Sequence, residues 1–493
     1  MRAAQNNLIR SGVLALLCAG VAAGAAAQST DLVRSLPGSA MLGVERLRLR
    51  GGERLGLVGA SYVLELSPGW WAGPSLYGAA SGQRGGLFAW GVEGQRRWRL
   101  DDSVGLAAGL FAGGGGGANA RVGGGLMLRP HVDLMVNYGG WQLGLTASHV
   151  RFPSGDIRSS QLGLLLMVDD RYAFAPPGHA GERVAFGERG GIGADRLHPT
   201  VGVYARHSAD GRSRLGYVGV RLEQQATREF FGTLEAAGAA SGGADGYMEV
   251  LAGLGAAWPV GTPALQLGGR VAAGLAGGGA VRTGGGALLK GMLSARWQLT
   301  PRWSLQAEAG EAWAPTGSFS SRFAQLSLGM SLGEHTAAPD GWQGTRTLQD
   351  MEWEASVLHY TGAARKDGSK RSMQLVGLQF NRFLSPNVYL AGQAQAAAGG
   401  GAGAYAVGLV GLGATQRLGQ SPWRVGAEAL VGAAGGGGVA VQGGAIAQPV
   451  AWVSRDLGTH SRVKLGAGYV KSRRGELSSP LAQLTWSLQF GTP

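Results

Sequence analysis

The sequence predicts an all-β, antiparallel, membrane-spanning barrel protein made from three repeats of about eight strands. Three observations predict it: a glycine hairpin that recurs at a fixed period, strict alternation of apolar residues, and two kinds of turn that take turns along the chain. The hairpin reads AGGGGGANARVGGG at residues 112–125, AGGGAVRTGGG at 276–286 and AGGGGVAVQGG at 434–444, copies about 160 residues apart. A period of that length marks a repeat architecture and outranks local signals.

Alternation is clearest in the last segment of each repeat. Leu162, Leu164, Leu166 and Val168 share one parity; Ala324, Leu326, Leu328, Met330 and Leu332 share it in the second copy. In the third, Ala482, Leu484, Trp486, Leu488 and Phe490 alternate with Gln483, Thr485, Ser487 and Gln489. Period two places the apolar set on one face of a strand. The opposite face varies between polar and very small. In the second repeat the eight segments begin near Val201, Leu215, Glu229, Tyr247, Ala264, Gly286, Trp303 and Phe323.

One class of turn is short and carries proline or an aromatic, as in Leu299-Thr300-Pro301-Arg302-Trp303 and Gln420-Ser421-Pro422-Trp423. Proline cannot donate to a ladder, so it belongs at strand ends, and the adjacent Trp suits a membrane-interface girdle. The other class is the glycine hairpin or a basic turn such as Ala209-Asp210-Gly211-Arg212. Two alternating classes suit an up-and-down sheet whose two ends face different surroundings. About 20 residues per strand and turn suffice for the ~9–11 tilted residues that cross a bilayer.

Residues 1–27 read as a secretory signal peptide: Arg2 and Arg10 precede an apolar run at 11–24, and Ala25-Ala26-Ala27 offers small residues for cleavage before Gln28. Cys18 is the only cysteine, so export comes without a disulfide framework. The division that follows is repeat 1 at 28–168, a connector at 169–199, repeat 2 at 200–332, a linker at 333–350 and repeat 3 at 351–493. Both connectors, rich in Gly, Pro and charge, read as loops or partly ordered linkers on the periplasmic side.

With these features the chain resembles the Gram-negative outer-membrane β-barrels. The resemblance rests on the signal peptide, the turns and the C-terminal strand of Leu484, Trp486, Leu488 and Phe490, here followed by Gly491, Thr492 and Pro493. It implies location in the outer membrane, contact with lipids and lipopolysaccharide, and a last strand read by the barrel-assembly machinery.

Twenty-four strands can close as one large barrel or as three eight-stranded barrels in tandem. A small barrel fills its interior with side chains, and inward Gly105, Ala107, Gly109, Gly253 and Gly255 look too small for that. The single barrel is therefore the expectation. A large barrel implies passage, as a passive pore or an export conduit for a surface polymer with a periplasmic export partner. A non-transporting scaffold or adhesin is the alternative, and an outer-membrane lipid hydrolase the third.

Candidate lumen charges are Arg221, Glu249, Arg270, Glu308, Arg424, Glu428 and Lys464, of mixed sign and therefore without clear ion selectivity. No helical period or Lys-Ser/Thr follows the glycine hairpins, which argues against phosphate cradling. They serve close backbone packing or a flexible rim. No histidines sit at metal-ligand spacing, so neither metal nor cofactor is expected. His207 and Ser208 are adjacent on a strand and point to opposite faces, which argues against a proton-sharing pair and against an enzyme.

The net charge of +13 falls to +11 without Arg2 and Arg10. It clusters in turns: Arg48, Arg50 and Arg54; Arg212 and Arg214; Arg365, Lys366, Lys370 and Arg371; Lys471, Arg473 and Arg474. Phosphate-rich lipopolysaccharide is a fitting partner for these. Nucleic acid is not, because no stacking aromatics are interleaved with the basic runs.

Overall fold

The computed structural model describes residues 32–185, 194–205, 214–332 and 345–492. The signal segment, His207, Ser208 and Arg212 lie outside the described residues.

The first ring comprises β1 (Arg34–Arg48), β2 (Arg54–Ser67), β3 (Trp70–Ser81), β4 (Phe88–Arg99), β5 (Val104–Gly116), β6 (Leu126–Asn137), β7 (Trp141–Arg151) and β8 (Arg158–Phe174). A short β9 (Arg183–Ala185) follows. The second ring comprises β10 (Arg196–Tyr204), β11 (Leu215–Gln225), β12 (Phe230–Ser241), β13 (Met248–Val260), β14 (Thr262–Gly277), β15 (Ala287–Gln298), β16 (Trp303–Trp313) and β17 (Ser320–Ser331). After the short β18 (Thr345–Thr347), the third ring comprises β19 (Gln349–Ala364), β20 (Lys370–Ser385), β21 (Val388–Ala397), β22 (Ala406–Arg417), β23 (Trp423–Gly435), β24 (Ala445–Asp456), β25 (Ser461–Ser472) and β26 (Ser478–Thr492).

Each ring closes on itself, β1 with β8, β10 with β17 and β19 with β26, every pair antiparallel. The three-repeat, eight-strand reading holds. Closure follows the tandem arrangement, and the expected single large barrel is corrected.

The filling argument fails for a cross-strand reason. Small inward residues make room for large ones directly opposite. Gly59 faces Tyr77, Gly202 faces Tyr217 and Gly413 faces Tyr389. At all three, a β-carbon would come within 3.0 Å of the ring. Gly109 likewise lies beside the His131 ring, and Gly255 beside Phe231. Alternation of small and large side chains is how a narrow barrel fills its interior.

The barrels are inside-out relative to a water-soluble protein. Leu162, Leu254, Val271 and Leu293 point outward and are 64–76% exposed, whereas Arg221, Glu249, Lys290 and Lys464 are buried inside. An outward apolar band around a polar interior is the pattern of a transmembrane barrel. Trp70, Trp98, Trp141, Trp258, Trp303 and Trp423 are exposed beside the short turns, a girdle at one end. The glycine hairpins occupy the other.

The connectors are not plain loops. The ladder between β8 and β1 continues to Phe174, opposite Arg34. β10 begins at Arg196, and β9 pairs with β18 to tie the two connectors together. The repeats therefore run a few residues past the boundaries drawn from composition, because backbone pairing continues where the apolar alternation has stopped. At the same end Ala175 and Gly491 exchange two backbone hydrogen bonds of 2.8 Å, joining the first barrel to the last strand of the third.

The glycine hairpins interlock the barrels at their shared end. The turn after β3 lies against the hairpin after β14, the turn after β12 against that after β23, and the turn after β21 against that after β5. A β-carbon on Gly286, Gly444 or Gly125 would collide with the carbonyl oxygen of Ala79, Ala239 or Ala397 respectively, each time across a barrel boundary. Gly85 N–H donates to the Gly284 carbonyl at 2.8 Å and Gly403 N–H to the Gly123 carbonyl at 3.0 Å. The Gly443 N–H donates to Asp245 Oδ1 at 2.6 Å. One head-to-tail contact is thus used three times and closes a ring, the geometry of a cyclic trimer within one chain. Glycine is needed here for close backbone approach and for the left-handed φ of +96°, +104° and +90° at Gly125, Gly286 and Gly444.

Candidate functional site

The polar chemistry of the molecule is inside the three lumens. In the first, Glu45 accepts from Arg129 Nε at 2.9 Å, Ser148 at 2.8 Å and Gln161 at 3.0 Å. His131 sits between Glu93 at 2.8 Å and Asp133 at 2.9 Å.

The second lumen is the most ionic. Arg221 pairs with Glu308 and donates to Gln306 at 3.0 Å. Arg270 reaches Glu235 at 2.8 Å and Glu308 at 3.4 Å. Glu249 accepts from Lys290 at 2.5 Å and from Tyr204 and Tyr247 at 2.7 Å each.

In the third, Lys464 contacts Glu352 at 2.7 Å and Glu354 at 2.5 Å. Glu428 accepts from Gln379 at 3.0 Å and Tyr389 at 3.1 Å. Arg424 is different: it stands near the girdle end, 3.9 Å from Asp456.

The structure therefore places all seven candidate charges on inward faces, divided between two lumens. It brings together Arg221, Arg270 and Glu308 in one cluster. Glu249 joins that cluster only indirectly, through Lys290 and Glu235 to Arg270, and Arg424 stands nearer the girdle end, by Asp456. Glu45, Arg129, Glu93, His131, Glu235, Lys290, Arg296, Glu352, Glu354 and Arg462 were missed. Carrying the inward parity along every strand finds them: all sit two, four or six places from an inward neighbour. Buried charges are costly unless paired, so the pairing that period two cannot display is what makes them tolerable.

Each lumen is stoppered at the hairpin end by its own turns. Val122, Phe152 and Ile157 fold into the first barrel, Val281, Ala314 and Phe319 into the second, and Val439, Val441 and Leu477 into the third, all buried. The basic residues Arg48, Arg54, Arg214, Lys370, Arg371 and Lys471 stand at this same end, at or beside the turns.

On the last strand, Leu484 faces outward and is 55% exposed, with Trp486, Leu488 and Phe490 of the same parity. Phe490 is nevertheless buried, because Tyr172 of the first barrel and Trp353 pack on its ring. Trp486 donates to Ser461 at 2.9 Å.

The one close His–Ser contact on an outer face is His149 Nδ1 to Ser160 Oγ at 2.7 Å, among the described residues. The two are cross-strand partners in β7 and β8, a relation that only register reveals. Among the described residues no third group is hydrogen-bonded to His149, and none of the His, Asp and Glu cluster as a metal site would require.

Between the barrels lies an apolar chamber of about 1750 Å³. Outward-facing residues of all three barrels line it, among them Ala60, Leu76, Val218, Leu234, Ala394 and Val410. At the hairpin end it is closed where Phe88, Met248 and Ala406, the first residues of β4, β13 and β22, meet in one cluster with Trp90 and Leu275. At the girdle end its lining includes Arg228 and Glu229 of one short turn and Gln349 and Thr492.

No protein-family model matches the chain, and no curated protein matches it significantly. Among solved structures, Pseudomonas aeruginosa OpdQ is 8% identical, with 94% of this chain and 98% of that chain covered at a TM-score of 0.21. Acinetobacter baumannii OccAB3 is 9% identical, with 93% and 99% covered at 0.22. The siderophore receptor PirA of Pseudomonas aeruginosa is 9% identical, with 94% and 81% covered at 0.24. Similarity this low carries no argument about function, and the reading below rests on this chain's own geometry.

Proposed function

We propose that the protein is a non-conducting scaffold of the outer membrane, a trimer of small barrels made covalent, that presents its basic turns to the cell surface. The observation that carries this reading is the filling of each eight-stranded ring. A ring of that size has an interior only wide enough for side chains, and here each is crossed by paired charges and stoppered by its own turns. Three rigid, interlocked barrels hold the basic turns at one level, where they can pair with lipopolysaccharide phosphates. The last strand, with its outward Leu484, Trp486 and Leu488, serves recognition by the barrel-assembly machinery. No catalytic group is assigned.

A second reading, a narrow passive pore, draws support from one feature. Gln483 Oε1 and Thr485 Oγ1 are buried in the third lumen without a hydrogen-bond partner, and such groups call for water. Planar-bilayer recording of the intact protein separates the two. The scaffold reading expects a silent membrane; reproducible conductance steps of any size would replace it with the pore. Membrane fractionation with N-terminal sequencing tests the location, and a soluble periplasmic product beginning near Gln28 would end both readings.

A further inference from the structure

We propose that the chamber between the barrels is a phospholipid-binding site, with acyl chains along its apolar wall and the headgroup phosphate on Arg382. The proposal rests on the membrane location proposed above and adds a ligand to it.

Position comes first. Arg382 stands three residues before the end of β20 at the girdle end, opposite Leu390 and Met351 in the ladders. Its neighbour Asn381 points into the third lumen and donates to Glu352 at 3.1 Å. Arg382 therefore points the other way, into the chamber that it lines together with Leu378, Phe380 and Leu390. Among the described residues Arg382 has no hydrogen-bond or ion-pair partner. Among the described residues the other strand cations that border the chamber, Arg196 and Arg296, have the inward parity of the second barrel and bond Glu223 there at 2.9 Å and 2.5 Å. Of the chamber-lining acids at this end, Glu229 accepts from Thr227 of its own turn and Asp195 from the Gln225 N–H at 2.6 Å.

Shape and chemistry agree on one occupant. The wall is apolar along its length, it is sealed by Phe88, Met248 and Ala406 at the far end, and the Arg382 guanidinium on the wall marks the depth at which a headgroup sits, with Arg228 of a short turn at the same mouth. A guanidinium binds a phosphate through charge-assisted, often bidentate hydrogen bonds. A half-buried guanidinium facing an apolar wall without a counter-ion is costly, and an amphiphile with an apolar tail supplies that counter-ion in the same step as it fills the chamber. A free phosphate would leave the apolar wall uncovered, and a purely apolar guest would leave Arg382 unpaired.

The wall also has spare room. Gly392 and Gly408 line the chamber, and a β-carbon on either would meet nothing within 4 Å. Neither has a left-handed φ, so bulk can be added without backbone strain.

The test uses the full-length protein purified from membranes in mild detergent, with bound phospholipid measured by native mass spectrometry and by extraction. The proposal expects about one tightly held phospholipid per chain. It expects severalfold loss in Arg382→Glu and in Gly392→Trp, each still folded by its shift in mobility on heating. Annular lipid would not respond to a tryptophan placed inside the chamber. Absence of stoichiometric lipid from the wild-type protein, retention of lipid by both variants, or recovery of a different guest would each overturn the proposal. If the protein is not in the membrane fraction at all, the membrane reading fails first, which distinguishes the two failures.

Discussion

The second and third barrels solve the same filling problem with opposite chemistry. The fourth residue of β15 is Lys290 and the fourth of β24 is Gln448, both inward and buried. Around Lys290 stand Glu249 at 2.5 Å and Glu235 at 3.5 Å, with the rings of Tyr204, Tyr217 and Phe323 about 5 Å away. Around Gln448 stand only neutral groups: Tyr360 donates to it at 2.7 Å and Gln395 at 3.2 Å, and it donates to Gln393 at 3.1 Å. One position can therefore be held by a buried ion cluster or by an amide ladder, on the same strands and in the same register. The difference teaches that the fold asks for satisfied polar volume at this site and not for charge.

The contrast breaks most visibly when one partner is removed. Lys290→Met takes the cation from Glu249, which keeps only its two tyrosine hydroxyls, while Glu235 retains Arg270 at 2.8 Å; stranding buried charge costs about 3–5 kcal/mol. Gln448→Met strands only neutral groups and should cost about 1–3 kcal/mol. Equilibrium unfolding in lipid vesicles, read by loss of heat-modifiable mobility, measures both; equal losses would mean that the ion cluster is no more demanding than the amides.

The outer faces should not share this contrast. Leu293, on β15, is 76% exposed and Leu484, on β26, is 55% exposed. Arginine at either lipid-facing site should cost about 2–4 kcal/mol at mid-membrane depth. The same unfolding measurement should give similar losses for the two barrels. A large difference would place one of these leucines outside the membrane and sharpen where its edges lie.

The shared wheel of glycines sets a third comparison. Gly286→Ala and Gly444→Ala occupy equivalent places in the second and third barrels, and each β-carbon would meet a neighbouring carbonyl. Gly243 also has a left-handed φ of +73° but nothing lies within 4 Å of its β-carbon. All three substitutions carry the backbone penalty of roughly 1–2 kcal/mol. The two wheel positions should lose about a further 1–3 kcal/mol from overpacking. Loosening of the barrels, detected as protease cleavage at the connectors, should accompany only those two.

The smallest effect belongs to the first barrel. Arg84 of the turn after β3 holds Glu53 at 2.7 Å, and that hydrogen bond lowers the Glu53 carboxyl below its ordinary range. A depressed folded-state pKa stabilises above the unfolded value, about 4.3, and the stabilisation disappears as pH falls through the folded-state value. The pair is partly exposed, so its contribution, discounted for solvent screening, is at most about 1 kcal/mol. Glu53→Gln should lower stability slightly at neutral pH and leave it unchanged once the acid limb is passed. The corresponding position in the other barrels is Ala244 and Ala402, so neither of those turns has this pair.

By itself the chain determined the strands, their parity, the count of eight per repeat and the two kinds of turn. Those properties depend on residues two apart or on local turn chemistry: Leu484, Trp486 and Leu488 declare an outer face wherever the strand is placed, and Pro301 or Pro422 ends a ladder in any context. The inward parity of Arg221, Glu308 and Lys464 was legible for the same reason. The tertiary structure alone decided how the ladders close, which cation meets which carboxylate, and what the glycine hairpins are for. Each depends on a partner far along the chain. Gly413 appears too small until Tyr389 stands opposite it, Glu45 is costly until Arg129 arrives from 84 residues away, and Gly125 is a flexible tip until the carbonyl of Ala397 from another barrel fills the space its side chain lacks. Closure at eight strands follows from those distant fits. Alternation along one strand is the same for a narrow barrel and a wide one, and only the volumes that meet across the lumen distinguish them.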